Sequence, residues 1–407
     1  MQKEKLVPAI RFKGFDEEWK ANRLSSYLNV VVKRNEQLRY SQNEVLSVSK
    51  DSGVINQIKY LGRSYAGSDL RNYKILELSH IVYTKSPLNE TPFGIIKTNN
   101  YEQGIVSTLY ATYEPSSACH SNFVEHYFSK YDRLNNYLYP LVNKGAKNTL
   151  LISDETALGG RVVFPSFDEQ QEISDLLDNL ALLIHSQELK LEKLQTIKQS
   201  LLNKMFASYD QKTPEIRFKG FDEPWKLNKF SELFEEKRVK TTEENEDTLL
   251  SCTIDDIYLN SELFSHFRGS STLGYIKVMK YDLILSAQNL HLGNANVNLK
   301  YESGIISPAY KTYKITHSDP HFIQTWVKKE NTKKFFLDAT TEGASGCRKN
   351  VEWNYLYEQF ISVPILIHEQ QKIGQFFSSL DSLIHSQEQK LEKLNNIKQA
   401  LLEKMFC

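Results

Sequence analysis

"EQQEISDLLDNLALLIHSQELKLEKLQTIKQSLLNKMF" occupies residues 169–206, and "EQQKIGQFFSSLDSLIHSQEQKLEKLNNIKQALLEKMF" occupies residues 369–406; 24 of the 38 positions are identical. The first segment holds neither glycine nor proline and is dense in Leu, Lys, Glu and Gln, good helix formers. Its apolar residues recur at Ile173, Leu177, Leu180, Ile184, Leu191, Leu194, Ile197, Leu201 and Met205. Steps of three and four dominate, the spacing of a coiled-coil seam. Two consecutive steps of three, Leu191–Leu194–Ile197, predict a stammer that overwinds the supercoil locally. A helix of this length is about 57 Å long. With one apolar stripe it needs a partner to be stable in water, and the second copy is the obvious one. An antiparallel pairing over the full length sets Gln187 opposite Gln387, a polar pair suited to fixing register.

The repeat extends outward from the helices. "IRFKGFDEEWK" begins at Ile10 and "IRFKGFDEPWK" at Ile216, with 10 of 11 letters in common; "GIVSTLYATY" from Gly104 answers "GIISPAYKTY" from Gly304. The offset falls from 206 to 200, so the first half carries six extra residues between Lys20 and Gly104. Two copies at so long a period exclude a solenoid and indicate a tandem duplication with a pseudo-two-fold axis. Between the matched segments the halves diverge: "KSPLNETPFGIIKTNN" from Lys85 stands against "SAQNLHLGNANVNLK" from Ser286. A device that presents two different readers on one symmetric frame would look like this.

Residues 21–168 and 227–368 mix β-branched and aromatic runs bounded by turn residues, such as "HIVYTKSP" and "KVMKYDLILSA", with stretches of helical spacing such as "SNFVEHYFSKYDRLNNYLYPLV". The expected fold class is α+β, one mixed domain with a curved or barrel-like sheet in each half, the two joined by long antiparallel helices. The domain scheme is 1–168 (leader 8–20), helix 169–206, 207–368 (leader 214–226) and helix 369–407. Trp19, Trp225, Phe12 and Phe15 are expected to pack each leader against the helical frame.

The chain has 407 residues, 40% hydrophobic and 25% charged, with 50 basic and 50 acidic side chains. Mean hydropathy is −0.47, and no apolar run is long enough to span a membrane. The first residues show no apolar core or cleavage site of a signal peptide. The four cysteines, Cys119, Cys252, Cys347 and Cys407, form no C-x-x-C pair and do not cluster with histidines at metal-binding spacing. A cytoplasmic protein with reduced thiols and no metal is expected. There is no phosphate-binding lysine loop, no G-x-G-x-x-G after a strand, no adenine-methyltransferase D/N-P-P-Y/F motif, no G-x-S-x-G and no H-E-x-x-H. The sequence is that of a binder without catalytic residues.

Zero net charge weighs mildly against nucleic acid as the partner, but a local patch can hide in the sum. A DNA reader of this composition must segregate its charges. The candidates are Lys33, Arg34, Arg63 and Lys85, with Lys144 and Lys147 in "NKGAKNT". In the second half they are Arg268, then Gln288, Asn289, His291 and Asn294 in "SAQNLHLGNANVN", then Arg348 and Lys349. Arg and Lys suit guanine edges and phosphates, while Asn and Gln suit adenine.

The two leaders, the "GIVSTLYATY"/"GIISPAYKTY" pair, and "VFPSFDEQQEI" with "SVPILIHEQQKI" together resemble the specificity subunit of type I restriction–modification systems, over essentially the whole chain. The resemblance implies two target recognition domains, each reading one half of a split, asymmetric site in double-stranded DNA. It implies that the helices set the spacer and dock two methyltransferase (modification) subunits, and that restriction subunits add translocation and cleavage. The family's subunit binds no cofactor itself; S-adenosylmethionine, ATP and Mg belong to its partners. The competing expectation is a coiled-coil adaptor or scaffold displaying two protein-binding domains.

Overall fold

The structure, a computed structural model, describes residues 6–87, 90–144, 150–208, 211–265, 271–342 and 349–407. The chain divides into two compact units, residues 1–187 with 390–407, and residues 188–389. The central helix, Phe167–Lys204, and the C-terminal helix, Ile367–Lys404, are each divided between the two units. Both begin two residues before their "EQQ" motif.

Each unit is built on the same four-stranded antiparallel sheet. In the first unit the order is Leu28–Val30, Ala111–Pro115, Ile81–Tyr83, Ile96–Thr98. In the second it is Phe234–Lys237, Tyr310–Ile315, Leu283–Ser286, Ala295–Val297. The strand Ile81–Tyr83 is buried throughout, as is Leu283–Ser286, which accounts for their unbroken β-branched and aliphatic character. Separate ribbons carry the "GIVS" and "GIIS" segments, Lys74–Leu76 with Gly104–Val106 and Ile276–Met279 with Ser303–Ile306. A Cβ at Gly104 would lie 2.4 Å from the Glu44 carbonyl oxygen, and one at Gly304 would lie 2.5 Å from Leu250 Cδ1. The repeated glycine is there because neighbouring chain comes too close for any side chain.

The repeated leader is a clamp on the start of the long helix. In the first unit the Arg11 guanidinium donates from Nε and Nη2 to the two oxygens of Glu169, at 2.7 and 2.8 Å, and from Nη2 to the Glu17 carbonyl. Arg217 repeats this on Glu369 and the Glu223 carbonyl in the second unit. Both glutamates are 1% exposed, so the bidentate geometry compensates their desolvation. The next residue of the motif is also buried. Gln170 accepts from the His120 backbone N–H and donates to the Pro165 carbonyl, and Gln370 does the same with Asp319 and Pro364. "EQQ" is thus a helix start whose first two side chains are spent on holding the leader and the start of an earlier domain helix, Ser121–Phe128 or Pro320–Val327. The tryptophan of each leader is buried in the core: Trp19 meets Phe406 edge-on at 6.4 Å, and Trp225 meets Phe206 at 6.1 Å.

Each core draws on both long helices. In the first unit Phe123, Phe164, Ile173 and Leu177 share a cluster with Leu402, Met405 and Phe406. In the second, Leu202, Met205 and Phe206 share one with Phe322, Ile373 and Phe377. The beginning of one helix therefore packs with the end of the other in each unit.

The expected stammer is absent. The covered stripe of the central helix runs Gln170, Ile173, Leu177, Leu180, Ile184, Gln187, Leu191, Leu194, Lys198, Leu201, Met205, in unbroken steps of three and four. Lys198, not Ile197, continues the seam: Ile197 is 40% exposed, while Lys198 reaches Asp381 at 2.5 Å. Its aliphatic stem covers the seam and its ammonium escapes to the carboxylate, as long cationic side chains do. The C-terminal helix repeats the arrangement with Lys398 half-buried and Ile397 exposed. Gln187 and Gln387 are both buried, and the Oε1 of each has no hydrogen-bond partner among the described residues.

Candidate nucleic-acid interface

In the first unit one of the candidate cations, Lys85, shares a carboxylate with Lys74. The backbone of Arg34 bridges that of Lys74, and the Ile75 N–H donates to the Lys33 carbonyl. Lys74 Nζ lies 2.5 Å from one oxygen of Asp154, and Lys85 binds the other. Lys33 pairs with Glu77 at 2.8 Å, and the Arg34 guanidinium donates to Asn72 Oδ1 at 3.4 Å. Burial raises the Asp154 carboxyl, but the hydrogen bonds from Lys74 and Lys85 outweigh it, holding the group below its ordinary value. Lys85 adopts a left-handed backbone conformation, φ +52°, uncommon for a non-glycine residue and often found at functional sites.

Arg63 stands apart. It follows the short helix Gln57–Leu61, exposed, its guanidinium 4.6 Å from the Tyr65 ring centre. Lys144 lies in the strand Asn143–Lys144, whose partner, Leu150–Leu151, leads directly to Asp154. The Lys144 side chain and Lys147 lie outside the described residues.

The second unit has different chemistry around the short helix that follows its hairpin. Asp154 opens the short helix after its hairpin; Trp353 opens the equivalent helix, Trp353–Glu358. Lys311 Nζ sits 4.3 Å from the Trp353 ring centre, 2.8 Å from Glu236 and 2.9 Å from the Tyr357 hydroxyl. Burial lowers Lys311, and its hydrogen bonds to Glu236 and Tyr357 raise it above the ordinary lysine value. Gln288 and Asn289 are exposed and His291 half-buried, at the turn Leu290–Leu292. Asn294 points inward: it is 5% exposed, and its amide joins the Cys252 thiol at 3.3 Å and the Cys252 carbonyl at 3.4 Å. Lys349 starts the hairpin strand Lys349–Val351, opposite Glu342. Arg268 and Arg348 lie outside the described residues.

Sequence reasoning passed over Lys74, Asp154, Lys311 and Trp353. Lys74 sits within a β-run and Asp154 in "LISDETAL", which reads as an ordinary helix start, so only the fold reveals that they meet Lys85. Among the described residues no group of three or more His, Cys, Asp or Glu could hold a metal ion, and no helix is long and apolar enough to cross a membrane.

The chain's fold has counterparts among solved structures. The S subunit of the type I restriction–modification system from M. genitalium matches 98% of this chain and 99% of its own, with a TM-score of 0.56 at 12% sequence identity. A structure from work on complex assembly and conformational transition of the type I R-M system matches 97% of this chain and 99% of its own (TM-score 0.48, 13% identity). The HsdS subunit from Thermoanaerobacter tengcongensis matches 95% and 96% (TM-score 0.43, 14% identity). No family model matches the sequence, and no curated protein sequence does. The fold is that of a type I restriction–modification S subunit.

Proposed function

We propose that the chain is the DNA-specificity subunit of a type I restriction–modification complex. The observation that carries this reading is the repeated frame with unlike side chains around the short helix after each hairpin, Lys74, Lys85 and Asp154 in one unit and Lys311, Trp353 and Glu236 in the other. Each unit would read one half of a bipartite, asymmetric target, its cations on phosphates and base edges. The two long helices, paired antiparallel with Gln187 opposite Gln387, would set the distance between half-sites and dock two methyltransferase subunits. Catalysis would lie on those subunits and on the restriction subunits, with S-adenosylmethionine, ATP and Mg, and the complex would work in the cytoplasm.

Zero net charge favours the competing adaptor reading, in which the two units bind proteins. One experiment separates them. The chain, co-expressed with a type I modification subunit from the same genome, should direct adenine methylation to a split motif with a fixed gap, read by methylome sequencing. A continuous motif, or none above background, defeats the proposal.

A further inference from the structure

The second unit contains a cavity of about 730 Å³ between the end of the central helix, the helices Pro320–Val327 and Glu330–Asp338, and the strand Phe360–Val363. Its volume falls in the range of small-molecule sites. Lys329 lines it, 6% exposed. Its ammonium lies 4.5 Å from the Phe206 ring centre and has neither a carboxylate nor a hydrogen-bond acceptor among the described residues. An unpaired cation so deeply covered is costly. The first unit handles the equivalent place differently: Arg133 lies 5.1 Å from the Phe406 ring centre but donates to the Tyr127 carbonyl at 2.9 Å. The lining around Lys329 is aromatic, with Trp326 and Phe335 meeting edge-on at 5.3 Å and Phe360 46% exposed. The remaining charges are Lys334 and Asp338, both exposed, and Glu358, which is tied to Lys229 at 2.5 Å; Tyr355 is exposed. Two carboxylates among the lining residues disfavour a polyanion such as a nucleic-acid backbone.

We propose that this cavity binds a small organic monoanion with a flat aromatic or apolar body, its acid group against Lys329 and its body against Trp326, Phe335 and Phe360. The site is separate from the Lys311–Trp353 position and independent of the DNA-specificity reading. Burial alone pushes the Lys329 ammonium down to about 8, so a bound anion would supply the missing countercharge and hold the proton. Affinity should then fall as pH rises through that value.

The test is calorimetric titration of the full chain with indole-3-acetate and with the uncharged indole-3-acetamide. At about pH 7 the acid should bind at least about tenfold more tightly than the amide, and at about pH 9.5 the preference should vanish. Lys329→Met keeps the stem and removes the charge. It should abolish the preference while leaving the unfolding temperature unchanged or raised. Equal affinity for acid and amide at the lower pH, no saturable binding of either, or a preference that survives in K329M would each overturn the proposal. The pH comparison on the unaltered chain decides the matter even if the variant fails to fold.

Discussion

Arg217 and Glu369 carry more than their surface cousins because only one of them has any route to water. Arg217→Met strands a carboxylate that is 1% exposed, and breaking such a pair costs about 3–5 kcal/mol. Arg217→Met with Glu369→Gln should recover part of the loss, since the charge left behind is gone. Hydrogen exchange across residues 320–377 is the readout; equal protection in the single variant and the parent would contradict the clamp. Asp154 makes a pH-dependent claim. Its carboxyl is held below the ordinary value in the folded chain, so its stabilising contribution is present above about pH 4 and is lost as pH falls through the folded value. Asp154→Asn leaves Lys74 and Lys85 without their shared anion, which should cost about 3 kcal/mol near neutral pH. It should also flatten the acid limb of the first unit's stability curve. An acid limb unchanged in D154N would mean that other carboxylates dominate it.

The long helices show how far a pattern of letters carries at the scale of an element. Their existence and length were legible in the repeat, and the leaders' role as packing segments followed from their aromatic residues. Ile197 misled because periodicity counts an isoleucine as buried and a lysine as exposed. The heptad instead continues through Lys198, whose stem is apolar and whose charge finds Asp381. The clustered cations of the first unit were half legible. Lys33, Arg34 and Lys85 announce themselves in loops, but Lys74 comes from a ribbon and Asp154 from a helix start, and no local pattern reveals that they meet. Asn294 illustrates the converse, a polar residue in a promising loop whose amide is committed to Cys252. A prediction belongs here too. Gln187→Leu with Gln387→Leu removes two buried, partnerless carbonyl oxygens, each costing about 1–3 kcal/mol. The double variant should therefore melt at a higher temperature, while relaxing the selection of register that a single polar position provides. A lower melting temperature would show that the two amides are satisfied after all.

For the whole molecule, the decisive fact is that the first unit's core borrows from the far end of the chain. Removing residues 400–407 takes Leu402, Met405 and Phe406 out of the first unit's core. Loss of protection should appear around Trp19 and Phe123 and spare Trp225. Phe406→Ala alone should cost the first unit about 3–5 kcal/mol. A chain ending at Ser208 carries Leu202, Met205 and Phe206, the repeat's counterparts of the missing residues. A second copy can supply them, so this fragment should sediment as a dimer. A soluble, folded monomer would refute the borrowing.

Borrowing also imposes a timetable on synthesis. The second unit, residues 188–389, is continuous in sequence, whereas the first is closed only by residues 390–407. At about 5–20 residues per second, some 200 residues separate Gln187 from Lys390, an interval of about 10–40 s. Throughout it the nascent first unit holds Phe123, Ile173 and Leu177 without the helix end that covers them. The part made first is finished last, so a ribosome stalled anywhere in the second half leaves an apolar face open. Such an open face is what chaperones bind, and a neighbouring nascent copy with the same "LLxKMF" ending could cover it.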